Sequence, residues 1–193
     1  MQKDLKRYIE ELRTITMTKN SEKNKFLSIE SYNCYLNNGK IITREKLLKN
    51  KESGSAVIIY SVTSDNKVIL AIEPRVFTKE TVGINLPAGY IEKGEYPYYA
   101  AKRELQEETG YNSDNIIYLG SYYQDEGVSG AYNYYFLALN ARKISEQNLD
   151  KDEFIKYILV TQEEVDELLE RGLISGINSA FTIEKVKSYL KRR

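Results

Sequence analysis

Histidine and tryptophan are absent from the 193 residues, and cysteine occurs once, at Cys34. Without histidine, acid–base chemistry would fall to carboxylates, lysine, tyrosine or metal-bound water. Any metal would be held by oxygen donors, which favours Mg²⁺, Mn²⁺ or Ca²⁺ over Zn²⁺. A lone cysteine excludes an intrachain disulfide and fits a reducing, cytoplasmic setting. Without tryptophan, base stacking would rest on the 17 Tyr and 5 Phe. An excess of positive charge is also missing. Lys+Arg and Asp+Glu are 28 each, so no basic field attracts nucleic acid, and no nucleic-acid partner is expected. No apolar run is long enough to span a membrane. The opening MQKDLKRYIEEL is charged and amphipathic, without the apolar core of a secretory leader, so no membrane partner is expected.

Hydrophobic residues make up 41% and charged residues 29%, the balance of a globular chain with a full core. Leu5, Tyr8, Ile9 and Leu12 form the stripe of a short helix over 3–13. The segment from Lys25 to Leu48 alternates as two strands about Asn38-Gly39, a hairpin signal. AVIIYSV (56–62) and KVILAIE (67–73) form a second hairpin about Asp65-Asn66. PRVFTKETVGI reads as a loop. Pro97 and Gly110 bracket a helix over about 97–109, with Ala101 and Leu105 facing the core. Ala100 is expected on the same face as Glu104 and Glu108, leaving room for a ligand. Beyond it come strands around the loop DEGVSG and a strand at 154–160. Thr161 and Glu164 form a capping box for a helix over 162–171, and a last helix spans 175–189. Strands interleaved with helices in this order predict an α/β chain, a mixed sheet with helices packed on it.

The densest chemistry lies between Gly89 and Tyr111, in GYIEKGEYPYYAAKRELQEETGY. Glu104, Glu107 and Glu108 sit at i, i+3 and i+4, on one helical face. Like charges at those spacings repel by about 0.2–0.5 kcal/mol per pair, and a bound cation would turn that repulsion into a site. The stretch resembles the Nudix box, G-x5-E-x7-R-E-U-x-E-E-x-G-U, where U is a bulky apolar residue. Gly89, Glu95, Arg103, Glu104, Leu105, Glu107, Glu108 and Gly110 fall in register, with Tyr111 at the last apolar position.

The resemblance implies a Nudix-type α/β/α sandwich with a mixed β-sheet and an N-terminal β extension. It also implies hydrolysis of a nucleoside diphosphate linked to another group. Glu104, Glu107 and Glu108 would hold the metal, with the carbonyl of Ala88. Glu95 and Arg103 would orient them. Glu92 lies outside the fixed motif and reads as a solvated loop residue. Glu153, in the acidic patch Asp150-Lys151-Asp152-Glu153, is the candidate for an additional ligand or base. Residues from about 35 to 185 resemble the ADP-ribose pyrophosphatase branch, which also hydrolyses nucleotide sugars. Arg75 stands where that branch sets an arginine against the phosphates, and Arg44 carries a weaker version of the same argument. Three positions depart from the branch: Glu126 replaces a loop proline, Ala131 an acidic residue and Asn85 a glutamate. These departures leave nucleoside diphosphate sugars open beside ADP-ribose.

Two other functions fit the same box: a nucleotide-sensing domain without hydrolysis, and a MutT-type nucleoside triphosphate pyrophosphohydrolase. The complete box opposes the first and the N-terminal extension the second. The expected division is 1–52, a helix and β extension for dimerisation and the substrate site, and 53–193, the hydrolase domain. The extension implies a homodimer with residues about 25–48 at the interface, and Mg²⁺ is the expected cofactor, with Mn²⁺ possible.

Overall fold

The computed structural model describes residues 3–19 and 26–192. Its elements, in chain order, are α1 (Lys3–Leu12), β1 (Leu27–Tyr35), β2 (Ile41–Lys49), β3 (Ala56–Thr63), β4 (Val68–Pro74), β5 (Val82–Asn85), β6 (Ala88–Tyr90), α2 (Pro97–Thr109), β7 (Tyr111–Asn112), β8 (Asn115–Tyr123), β9 (Tyr132–Lys143), β10 (Lys156–Val160), α3 (Gln162–Glu170) and α4 (Ile177–Leu190).

The sheet runs β10-β4-β3-β9-β7, with β5 on β4, β6 on β3 and β8 on β9. β3 and β9 are parallel, and the remaining pairs are antiparallel. Strand alternation builds the layers. Val57 and Ile59 of β3 pack with Ala101 and Leu105 of α2. Ile58 and Tyr60, between them, join a second cluster with Leu5 of α1, Val165 of α3 and Ile183 of α4. The result is the expected α/β/α sandwich with a mixed sheet. Among the described residues no helix is long and apolar enough to cross a membrane.

β3 and β4 share a ladder position only at Val62↔Val68, beside their turn. Away from it β4 takes β5 as partner, through Glu73↔Gly83, and β3 takes β6, through Ile58↔Ala88. The hairpin therefore splays, and residues 82–90 supply a new partner to each of its strands. A cleft opens there.

Two expectations change. Residues 82–84, read as loop, begin β5. Four residues are too few for periodicity to reveal, yet Val82 and Ile84 are buried. Ala100 leaves no room for a ligand. It is fully buried with Val57 and Ile59, where a bare methyl lets α2 lie close on β3.

β1 and β2 form their own two-stranded sheet, in register from Leu27↔Lys49 to Tyr35↔Ile41. Lys25, at the head of the expected strand segment, lies outside the described residues. The Leu47 N–H donates to the Val128 carbonyl at 2.7 Å, tying the hairpin to the turn before β9. Helix α1 belongs instead to the main core through Leu5.

Candidate active site

α2 carries most of the acidic groups. Proline at its first position begins it, and Gly110, at φ 74°, ends it. A left-handed residue with no Cβ stops a helix at little steric cost. Arg103 is the hub. Its Nε and Nη2 donate to the two Glu95 oxygens at 3.0 and 2.8 Å, and Nη2 also donates to the Tyr90 carbonyl at 3.0 Å. Nη1 donates to Glu104 Oε1 at 2.7 Å and Glu107 Oε2 at 3.0 Å. One guanidinium thus offsets three carboxylates. The Glu95 carboxyl is held below its usual range chiefly by the Arg103 hydrogen bonds.

Glu104 and Glu108 are buried, at 8% and 6% exposure. Burial pushes the Glu104 carboxyl up to about 7, against the pull of Arg103. Burial raises Glu108 well above the carboxylate range, and the charges of Glu73 and Glu104 add to it. The hydrogen bond from the Ala88 N–H to Glu108 Oε2, 3.1 Å, opposes the rise. Gly89 is there for space. A Cβ would sit 2.0 Å from the Glu104 carboxyl carbon.

These carboxylates stand at one side of a cleft of about 890 Å³, within the size of a nucleotide-scale ligand site. Glu73 and Arg75, at the end of β4, face into it and pair at 2.6 Å. Asn85 Nδ2 donates to the same Glu73 oxygen at 3.1 Å, and Ser179 Oγ donates to Asn85 Oδ1 at 3.3 Å. This chain of contacts fixes α4 against the cleft floor. Glu153 also lines the cleft, and its charge raises both Glu104 and Glu108. Its backbone N–H and one carboxylate oxygen bond Asp150 within the turn.

The structure brings Ala88, Arg103, Glu104, Glu108, Glu153 and Arg75 to one cleft. Glu95 and Glu107 reach it through Arg103. Glu92, exposed, donates its N–H to Glu95 Oε2 and stands at the rim. Two expected residues lie apart from these walls. Arg44, on β2, donates to the carbonyl of Thr43, and Glu126 sits in the exposed turn after β8. Sequence reasoning gave no role to Glu73, although an acid beside Pro74-Arg75 at a strand end was its signal. It also passed over Lys49, half-buried at the cleft mouth, with its ammonium 5.6 Å from the Tyr90 ring centre. No pattern marked that residue, because β2 belongs to a different sheet.

Among the described residues no three acidic side chains converge closely enough to hold one ion as they stand, since Arg103 occupies the space between Glu104 and Glu107. The donor set nonetheless fits a hard divalent cation. Glu108 is a buried carboxylate with no basic partner within ion-pair distance among the described residues, and burial favours the neutral form of Glu104 despite Arg103. Exchange of Arg103 for an ion at Glu107 would complete the set.

Residues 52–176 match the family model described as the NUDIX domain. The ADP-ribose pyrophosphatase of Bacillus subtilis (strain 168) is 35% identical over 150 residues, 77% of this chain and 78% of that protein. The methanol dehydrogenase activator of Bacillus methanolicus is 28% identical over 130 residues, 67% of this chain and 70% of that protein. A solved structure titled ADP compounds hydrolase superposes with a TM-score of 0.74 at 22% identity, covering 93% of this chain and 95% of that one.

Proposed function

Because this chain belongs to the NUDIX domain family, we propose that it hydrolyses the diphosphate bond of ADP-ribose or of a nucleoside diphosphate sugar. The products are a nucleoside monophosphate and a sugar phosphate. The observation that carries the reading is the buried pair Glu104 and Glu108, both raised in pKa, beside a polar cleft of nucleotide size.

Glu104, Glu107 and Glu108, with the Ala88 carbonyl, hold the cation, Mg²⁺ or alternatively Mn²⁺. When bound, it neutralises diphosphate charge and acidifies water. Arg103 holds the Glu104 and Glu107 side chains in place and is itself fixed in direction by Glu95 and the Tyr90 carbonyl. Arg75 binds non-bridging phosphate oxygens, and Glu73 and Asn85 hold its fork in place. Glu153, on a turn facing the α2 carboxylates, takes the proton of the attacking water. The water oxygen bonds to phosphorus, the bridging P–O bond breaks, and the second phosphate leaves with that oxygen.

The substrate assignment draws on the Bacillus subtilis relative, whose name gives ADP-ribose. The test is a panel of ADP-ribose and UDP-, GDP- and ADP-sugars with Mg²⁺, the products separated by chromatography. Turnover of at least one is expected, and none from the whole panel refutes the proposal. Glu108→Gln should lower kcat by at least about 1,000-fold, a loss of roughly 4 kcal/mol of transition-state stabilisation, with the fold intact by circular dichroism. Retained activity would move the metal site elsewhere.

The same proposal makes the protein a homodimer through the hairpin, residues about 25–48, with cytoplasmic residence supported by its single thiol. Ile29, Tyr35 and Ile41 expose apolar surface along that hairpin, more than an isolated two-stranded sheet can bury by itself. Arg44 and Glu126, on or beside it, would then be presented to a neighbouring copy.

A further inference from the structure

The cleft wall mixes polar and apolar residues, and Ile58, Leu86 and Ile155 in it are buried, whereas two large apolar residues stand open. Phe154 and Ile177 both line the cleft while 62% and 74% exposed. Phe154 follows Glu153 directly and leads into β10, and Ile177 opens α4. Fully burying such a side chain is worth about 1.5–3 kcal/mol, and each of these forgoes most of it. Among the described residues no ring packs on Phe154. Phe181, further along α4, meets both Tyr122 and Tyr135 at 5.1 Å.

The neighbour of Ile177 adds a polar edge. Asn178 also lines the cleft. Its Oδ1 accepts from the Tyr135 hydroxyl at 3.1 Å and from Asn133 Nδ2 at 3.4 Å. Those contacts orient the side chain, and its own NH₂ meets no acceptor among the described residues. An apolar wall bordered by an amide donor suits a flat ring with acceptor atoms on its rim. A ribose, smaller and edged with hydroxyls, would cover less of the apolar wall than a base.

We propose that Phe154, Ile177 and Asn178 form the subsite for the nucleobase of the substrate. The ring lies against Phe154 and Ile177, and the Asn178 amide donates to an acceptor at its edge. Contact between a base and an aromatic side chain is worth about 1–3 kcal/mol, and it tolerates any base because every base has a π-face. The inference rests on the diphosphatase reading for the presence of a nucleotide in the cleft.

The chain has no tryptophan, so Phe154→Trp puts a single tryptophan at the wall, excited at wavelengths beyond the absorption of the 17 Tyr. The substitution keeps an aromatic ring at an exposed position, and the fold should survive. The variant is titrated, without metal, with AMP and with ribose 5-phosphate, which has an anomeric hydroxyl in place of the base. Saturable quenching by AMP is expected, with at least tenfold weaker binding of ribose 5-phosphate. Adding Ile177→Ser or Asn178→Leu should each weaken AMP by about 3–10-fold and leave ribose 5-phosphate unchanged. Phe77→Trp, at a 95% exposed position away from the cleft, serves as the control and should show no saturable response. Equal responses to the two ligands, or no response to AMP, overturn the subsite. A blue shift that grows with protein concentration in the absence of ligand also overturns it, by assigning the wall to a second copy. Turnover separates this result from the broader reading. A wild type inactive on the whole panel whose Phe154→Trp variant still prefers AMP refutes the diphosphatase and leaves the subsite standing. An active wild type whose Phe154→Ala variant keeps its kcat/KM does the reverse.

Discussion

Replacing Glu104 with glutamine should stabilise the metal-free protein, increasingly as pH rises from about 4.5 to 7. The carboxyl rises from the ordinary 4.5 to about 7 on folding, mainly through burial. Below about pH 4.5 it is protonated in both folded and unfolded chains and costs nothing. Between 4.5 and 7 the unfolded chain releases the proton while the folded one keeps it, so stability falls as pH rises. Above the folded value the loss is complete. At about 1.4 kcal/mol per pH unit it comes to roughly 3 kcal/mol. Glutamine has the shape of the neutral acid and keeps an oxygen for the Arg103 N–H, so the variant escapes that cost. In a chain of this size roughly 3 kcal/mol moves the melting temperature by about 6–12 °C. The assay is thermal unfolding in chelator across pH 5 to 9. The two proteins should differ by under about 1 kcal/mol at pH 5, separate most steeply through pH 6, and hold a nearly constant gap above about pH 7. Glu108, raised in the same direction and partly by the Glu104 charge, makes both curves fall with pH, less steeply in the variant, which adds to the difference in the same sense. Saturating Mg²⁺ should reverse the order at pH 8.5, because an ion that binds only the folded wild type adds stability by mass action. A pH-independent difference, or a variant less stable than the wild type at pH 8.5 in chelator, would refute the argument that Glu104 is held against its charge.

Three further outcomes follow from single contacts. Gly89→Ala places a Cβ 2.0 Å from the end of the Glu104 side chain. That end can swing away, so stability should change by less than about 1 kcal/mol, as for other substitutions the structure absorbs. Activity should drop by 100-fold or more because the carboxylate leaves its place, and a fully active variant would show that Glu104 is not needed there. Arg75→Met removes a charged hydrogen-bonding group worth about 1.5–3 kcal/mol, so KM should rise about 10–100-fold with kcat nearly unchanged. A fall in kcat alone would place Arg75 in the transition state instead. Light scattering at micromolar concentration should give twice the chain mass, and deletion of residues 26–49 should give a monomer. A monomeric full chain would remove the hairpin's assigned role.

What could be read from the sequence depended on how far apart the cooperating residues lie. α2 was legible to its ends, because Pro97 is a local start signal, Gly110 a local stop signal, and Arg103, Glu104, Glu107 and Glu108 recur at helical spacing. The β3–β4 hairpin was legible for the same reason, through alternation and the Asp65-Asn66 turn. Its splay was not, since nothing in two alternating strands says that they part after one ladder position. That parting creates the cleft. It needs β5 and β6, four and three residues long, below the length at which periodicity can be seen. Ala100 was misassigned because spacing gives a face of the helix and not the depth at which each turn of that face lies. The substrate half of the cleft gathers Lys49 from β2, Glu73 and Arg75 from β4, Asn85 from β5, Phe154 from a turn and Asn178 from α4. They come from five separate parts of the chain, and apart from Glu73 and Arg75 no two share a spacing rule. Chemistry that works within one helix therefore leaves a pattern, whereas recognition assembled across the splay leaves none. For the same reason, substitution of Asn178 should alter which nucleotide is taken, and of Phe154 how tightly any nucleotide is held, without touching the box that cuts it.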